Sequence, residues 1–433
     1  MTYPSSSKFA VLGAALIAIS YGLARFAFGL FVPPIRDDLA LSPSQIGMIS
    51  ALPLISFVIA TGFAPLIADR IGARITAIVS GLFGALGLAV ISQSTNSVSL
   101  AVGVFACGIC TGLMMPALTA AMQAIVNRAL HGRVSSVMNA GTSIGVVIAV
   151  PVVLLLESAW RTAYLSFAVL ATLGIVAAWR MLPSVSPVTP TDAAPAPPIS
   201  RLQWARLFRL SLFAFAMGFV SAAYWIFAPD LVITLGALPT DTTAWLWVAV
   251  GIAGLGGAIA ADLADRNNPP ITHSLMLMML AASMALIAAS PGNSGITLFS
   301  ALVFGLAYMS LTGLYLMTGI RLLPGRLSLG PVLPFMAVSL GQAVGSPVLG
   351  LLIEKMGYAG AFSVFASASI VVAIISPLYP RQLEQEWDED VIEDTGLQAA
   401  YDHQLHDEEG EPYRGVEIEE EIEAVEEDRT NEN

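Results

Sequence analysis

From its first residues the chain alternates long apolar runs with short clusters of glycine, proline and charge. The runs match the ~20 residues that cross a bilayer as a helix, from residues 9–31 at the start to 362–378 at the end. Punctuation divides them into about twelve spans, near 9–32, 45–67, 75–94, 98–126, 134–156, 162–181, 208–231, 243–261, 274–290, 296–320, 330–353 and 361–379. A lipid-exposed run must satisfy its backbone hydrogen bonds internally, so runs of this kind predict helices. After Leu182 the chain reads PSVSPVTPTDAAPAPPIS, which cannot continue a helix and predicts an extended linker. The expected architecture is an all-α membrane protein of twelve transmembrane helices. A six-helix bundle over 1–182 and a second over 207–380 are joined by a linker over 183–206 and followed by a tail over 381–433.

The two bundles are related by an internal repeat. A gap-free shift of 196 positions superposes the first two spans on the seventh and eighth. Identical pairs include Gly22/Gly218, Ala27/Ala223, Phe31/Phe227, Pro33/Pro229 and Pro43/Pro239, and Ala68-Asp69-Arg70 lands on Ala264-Asp265-Arg266. With six spans in each bundle both copies face the same way, as in a parallel repeat about an axis normal to the membrane.

Charge refines this picture. Only 12% of residues are charged, about half the ~25% of a soluble domain. The tail from Arg381 carries 21 of the 31 acidic residues and three basic ones, a balance of −18, which leaves residues 1–380 at +6. The membrane body is therefore basic and the tail alone makes the protein acidic. No clustered basic face suggests nucleic-acid binding. Lys8 and eleven arginines (70, 74, 128, 133, 180, 201, 206, 209, 266, 321 and 326) fall on one side of the spans, against Arg36, Arg161 and Lys355 on the other. That bias puts both termini in the cytoplasm. The first apolar stretch is too long for a signal peptide and lacks a cleavage site. The tail reads as a solvated acidic segment with a short amphipathic stretch over 416–428, a candidate for docking on the basic loops.

Few residues can carry chemistry. Arg25 lies inside the first span, and an arginine at a helix centre costs ~2.5–3.5 kcal/mol on insertion scales, which marks it as functional. Structural pairing with Asp230 and snorkelling are the alternatives. Tyr21, Arg25 and Phe28 share one helical face, and the repeat maps them to Met217, Ser221 and Tyr224. This predicts a midplane cavity walled by Tyr21, Arg25, Ser221, Tyr224 and Trp225, with Asn139 and Gln342 as further polar candidates. Tyr308 and Tyr315 are polar candidates of the same kind, and interhelical glue is an equal alternative for each of the four. A guanidinium among aromatics suits a carboxylate, another planar anion or an aromatic ring. Asp230, near the end of span seven, is the candidate for ion coupling. Cys107-x-x-Cys110 sits in an apolar span without further ligands, and His403-x-x-His406 lies in the tail without a partner motif, so no metal and no cofactor are expected.

The loop Asp69-Arg70-Ile71-Gly72-Ala73-Arg74 is similar to the signature D-R-x-G-R-R/K of the major facilitator superfamily (MFS), which the chain resembles over residues 8–380. Gly108, Pro116 and Trp160-Arg161 fit the same family; Pro65 stands where its signature has glycine. The resemblance implies a latch role for Asp69, Arg70, Gly72 and Arg74, and for the second copy at Asp265 and Arg266. Val104 falls where many proton-coupled members carry arginine, and the Gly-Pro run of drug/proton antiporters is absent from span five. Span one, through Arg25-Phe26, Gly29-Leu30, Pro33, Arg36, Asp38-Leu39, Leu41-Ser42 and Gly47, resembles a bacterial subgroup of cyanate-permease-like and YbfB-like carriers.

These observations predict a non-enzymatic carrier, either secondary active or facilitative, that moves a small organic solute by rocker-switch alternating access. The chain has no P-loop for ATP. Arg25 favours an anionic or zwitterionic substrate, coupled to a proton or an exchanged anion. Efflux of hydrophobic compounds is the alternative, and a non-transporting sensor or scaffold is the alternative of another class. The expected setting is a monomer in the lipid bilayer of a bacterial or archaeal plasma membrane.

Overall fold

The computed structural model describes residues 5–127, 130–156, 159–182, 199–323 and 329–380, with side chains at all of these except 132, 153, 156, 240 and 257–267. Most of the linker, the acidic tail with His403 and His406, and the Asp265 and Arg266 side chains lie outside the described residues. The described elements are helical throughout. The first comprises α1 (Ser6–Ile17), a π-helical stretch (Ala18–Phe26) and α2 (Ala27–Asp38). There follow α3 (Pro43–Ile71), α4 (Ala73–Ser92), α5 (Ser97–Ile125), α6 (His131–Leu156) and α7 (Trp160–Met181). Beyond the linker come α8 (Arg201–Thr234), α9 (Thr240–Asn267), α10 (Pro269–Ala289), α11 (Ser294–Leu322) and α12 (Val332–Ile374). Among the described residues, ten helical runs are long and apolar enough to cross a membrane.

Local sequence accounts for the boundaries. Ser42, Asn96 and Ser200 each accept the amide of the residue three positions on, and that residue's side chain returns the bond. These reciprocal caps satisfy donors that a helix start leaves orphaned. Because Ser200 caps it, α8 begins at Arg201, inside the stretch expected to be linker. The two last predicted spans form one helical run broken at Gly357, whose φ of +74° suits glycine and turns the chain. Past that break the run lies antiparallel to α10. The Ser274 hydroxyl reaches the Ala373 carbonyl, and the Ser369 hydroxyl reaches that of Leu277.

Packing sorts the helices into two sets. Helices α1–α7 pack mainly on one another, as do α8–α12. The sets meet where α3 lies along α12, α2 along α8, and α6 along α9. The α3–α12 seam is tightest at the end that carries Pro43 and Glu354. A Cβ on Gly47 would come within 2.4 Å of the Ser346 carbonyl oxygen, so only glycine allows this approach. The seam continues through Ala51, Leu54 and Ala343 to Phe57, whose ring lies 5.8 Å from that of Phe335. Beyond Phe57, α3 turns to its own set: the Thr61 hydroxyl bonds the Gly112 carbonyl at 3.3 Å on α5. Helix α11 packs chiefly on helices of its own set.

Candidate functional site

Where the seam ends, the polar side chains converge. Arg25 sits in the π-helical stretch and is 8% exposed. Its Nη2 donates to the Ser339 hydroxyl of α12 at 3.0 Å. The guanidinium lies 4.7 Å from the Phe57 ring centroid and 5.2 Å from that of Phe26. Its Nη1 is buried and has no hydrogen-bond partner among the described residues. No ion pair to a carboxylate joins Arg25 among those residues. A buried charge left without a partner is costly, and cation–π contacts offset only part of that cost.

The second set of helices supplies a neutral counterpart. Ser339 and Gln342 stand three residues apart on α12 and therefore share a face. Gln342 Nε2 donates to the Tyr308 hydroxyl of α11 at 3.2 Å and to the Ser221 hydroxyl of α8 at 3.4 Å. Trp225 closes this cluster toward the Glu354 end, 5.2 Å from Tyr308 and 4.9 Å from Phe26 between ring centroids. Tyr21 reaches the group through Phe57, edge to face at 6.4 Å. Arg25, Tyr21, Ser221, Trp225 and Gln342 thus come together. Tyr224 does not: it is fully buried, stacks on Phe304 at 4.1 Å and bonds the Ser300 hydroxyl. Asn139 is exposed on α6, and Tyr315 bonds His273 on α10. Ser339 was not singled out from sequence, although its spacing from Gln342 on one apolar helix is the signal that finds it.

Nearer the Glu354 end a polar cluster spans both sets. Arg36 of α2 donates from Nη1 to Asp230 Oδ2 of α8 at 2.7 Å and to the Tyr358 hydroxyl at 2.7 Å. The Tyr358 hydroxyl also donates to Asp230. Asp230 is fully buried, and its Oδ1 has no partner among the described residues. Glu354 accepts the Ser44 amide at 3.0 Å in a further contact between the sets. Asp38 instead pairs with Arg161 inside the first set.

At the opposite end Asp69 and Arg70 are exposed, and Gly72 makes the turn into α4 with φ +81°. Arg74 donates to the Trp179 carbonyl at the end of α7, a bond within the first set. Cys107 and Cys110 are buried and unpaired. Among the described residues no group of His, Cys, Asp and Glu could hold a metal ion.

Known proteins agree with this architecture. Residues 14–328 match the family model described as Major Facilitator Superfamily. The chain is 23% identical to a hexuronate transporter of Bacillus subtilis (strain 168) over 390 residues, covering 81% of this chain and 90% of that one. Its fold is similar to the crystal structure of the nucleoside transporter NupG, with a TM-score of 0.71, 15% identity, and 86% and 98% of the two chains covered. It is also similar to a bacterial homolog of the human lysosomal transporter Spinster in an inward-facing and unoccupied conformation, with a TM-score of 0.70. That match has 11% identity and covers 88% of this chain and 96% of the other. Two helix sets meeting around a central polar cluster, in a chain whose family model spans most of the described helices, make this protein a member of the Major Facilitator Superfamily, a multi-pass membrane transporter that moves a small solute by alternating access.

Proposed function

We propose that the protein carries a small organic anion or zwitterion, and that Arg25 receives its negative group. The observation that carries this reading is the free, buried Nη1 of Arg25 in a site with no carboxylate paired to it among the described residues. A carboxylate there would form the charge-assisted bond that the guanidinium lacks. Gln342, Tyr308, Ser221 and Ser339 offer neutral donors and acceptors for the rest of the solute, while Phe26, Phe57 and Trp225 exclude water. The name of the hexuronate relative points to the same class, a small hydroxylated carboxylate. Span one adds the resemblance to cyanate-permease-like carriers noted above.

The membrane topology completes the reading. The ten apolar runs, with α9 and the division of α12 at Gly357, support a reading of twelve spans in two bundles of six, the second starting with α8 at Arg201. The arginine bias sets both termini in the cytoplasm of a bacterial or archaeal cell and the Glu354 end outside. The Arg36–Asp230–Tyr358 cluster is then an outer gate, closed in this conformation, and the Asp69 end is the open, cytoplasmic side. Asp230, with an unbonded Oδ1, is the residue at which a coupling proton would loosen that gate.

Thermal stabilisation of purified wild type and Arg25→Ala by D-glucuronate, D-gluconate, lactate and benzoate, beside cationic and neutral amphiphiles, tests the site. Carboxylates are expected to stabilise wild type and to bind the variant about 10-fold or more weakly, the scale of one charged hydrogen bond. Equal stabilisation of both proteins by neutral or cationic amphiphiles alone would overturn the anion reading in favour of hydrophobic efflux.

A further inference from the structure

Arg25 reaches the site from a stretch of unusual winding, and something must hold that winding. Over Ala18–Phe26 the backbone follows an i→i+5 pattern, with the Ala27 amide bonded to the Gly22 carbonyl. Such stretches are rare and poorly self-supporting. In an i→i+5 ladder the Ser20 carbonyl faces the amide of Arg25; in an ordinary α-helix it would face that of Ala24. The carbonyl's second lone pair is reached from another helix. The Thr111 hydroxyl of α5 donates to the Ser20 carbonyl at 3.1 Å and to its own helix at Cys107 at 2.9 Å. Both Thr111 and Ser20 are fully buried.

The bond to Cys107 is the ordinary back-bond of a helical threonine and accounts for the presence of a hydroxyl. It does not account for the hydroxyl lying between the two carbonyls, so that its single hydrogen serves both. Valine would fill the same volume and leave the Ser20 carbonyl with its backbone partner alone. Relaxing the wide turn to α-helix would shift the register by one residue, about 100° of rotation. That rotation would carry the Arg25 side chain off the face it shares with Phe57 and Ser339.

We propose that Thr111 is a positioning residue for the translocation site: through the Ser20 carbonyl it holds the wide turn that presents Arg25 to the solute. This rests on the reading of Arg25 as the anion-binding group and assigns a role to a residue that touches no solute. Its effect must therefore pass through Arg25 and vanish when Arg25 is gone.

The experiment is a double-variant cycle on the full chain in nanodiscs, with binding of D-glucuronate, D-gluconate, lactate and benzoate measured. Thr111→Val is expected to weaken the tightest of these between about 3-fold and 10-fold, the loss of one neutral hydrogen bond. Thr111→Ser, which keeps the hydroxyl, should stay close to wild type, and Thr111→Val should add nothing to Arg25→Ala. Thr111→Ala serves as the second hydroxyl-free variant where valine does not fold. If Arg25→Ala weakens binding but Thr111→Val and Thr111→Ala do not, the positioning role is wrong while the anion site stands. An equal loss from Thr111→Val with and without Arg25 would make Thr111 a packing residue only. If none of the four carboxylates binds wild type, the anion reading fails and the role of Thr111 with it.

Discussion

The two ends of the seam between the helix sets are built from different materials. At the Glu354 end the sets are joined by an ion pair on a buried carboxylate, by a tyrosine shared between them, and by a glycine that lets backbones touch. At the Asp69 end the charges stay exposed, and Arg74 bonds a helix of its own set. Each set thus keeps its own cohesion at the Asp69 end, while the Glu354 end depends on groups that the sets hold in common. If the Glu354 end is the gate proposed above, it can open only by leaving these shared polar groups unsatisfied or hydrated. That requirement makes closure a discrete state and keeps the two-state switch from becoming a gradual one.

The largest way to break this contrast is Arg36→Ala. It leaves Asp230 buried without its cation, which costs ~3–5 kcal/mol when one partner of a buried pair is removed. The closed Glu354 end should lose more than about 100-fold in population. A single cysteine at Leu231, in a chain with Cys107 and Cys110 replaced by alanine, should become reactive to a polar thiol reagent. Arg36→Ala with Asp230→Asn should recover part of the protection, because no orphan charge remains; no recovery would mean that the ion pair is not what holds the gate. Gly47→Val comes next. Its added carbons would meet the Ser346 carbonyl, and overpacking of this kind costs ~1–3 kcal/mol. Transport should fall by about 10-fold or more with Arg25 ligand binding retained, a result read by counterflow in proteoliposomes. Glu354→Gln should do least. Its carboxylate is exposed and meets the Ser44 amide and the Ser42 and Ser44 hydroxyls between the sets. A loss of closure as large as that of Arg36→Ala would show that the exposed rim, and not the buried cluster, carries the gate.

Span one shows how far the sequence could be read. Arg25 was legible because charge inside an apolar helix is expensive wherever that helix packs. Asp230 was legible for the same reason, yet its partner was not. Arg25 was the arginine weighed as a partner for Asp230; the structure instead gives Asp230 to Arg36, and Arg25 to Ser339. Which arginine wins depends on how deep α2 and α8 lie against each other, a property of the packed pair and of neither helix alone. Tyr224 shows the opposite case. The repeat placed it on the face equivalent to Phe28, but its hydroxyl bonds Ser300 inside its own set. A repeat preserves helix phase more faithfully than the direction of one large side chain.

What the sequence by itself determined is the all-helical, apolar kind of the chain, the basic balance of residues 1–380 and the presence of an arginine inside span one. These follow from local physics: backbone groups in lipid must bond within their own segment, and a charge in lipid must have a purpose. Tertiary structure alone decided that Ser339 meets Arg25, that Arg36 closes on Asp230, and that the Thr111 hydroxyl reaches the Ser20 carbonyl in the π-wound stretch. Each of those contacts joins residues far apart in the chain. No periodicity within a helix encodes its partner's depth, rotation or winding; only the packing of the two sets fixes them.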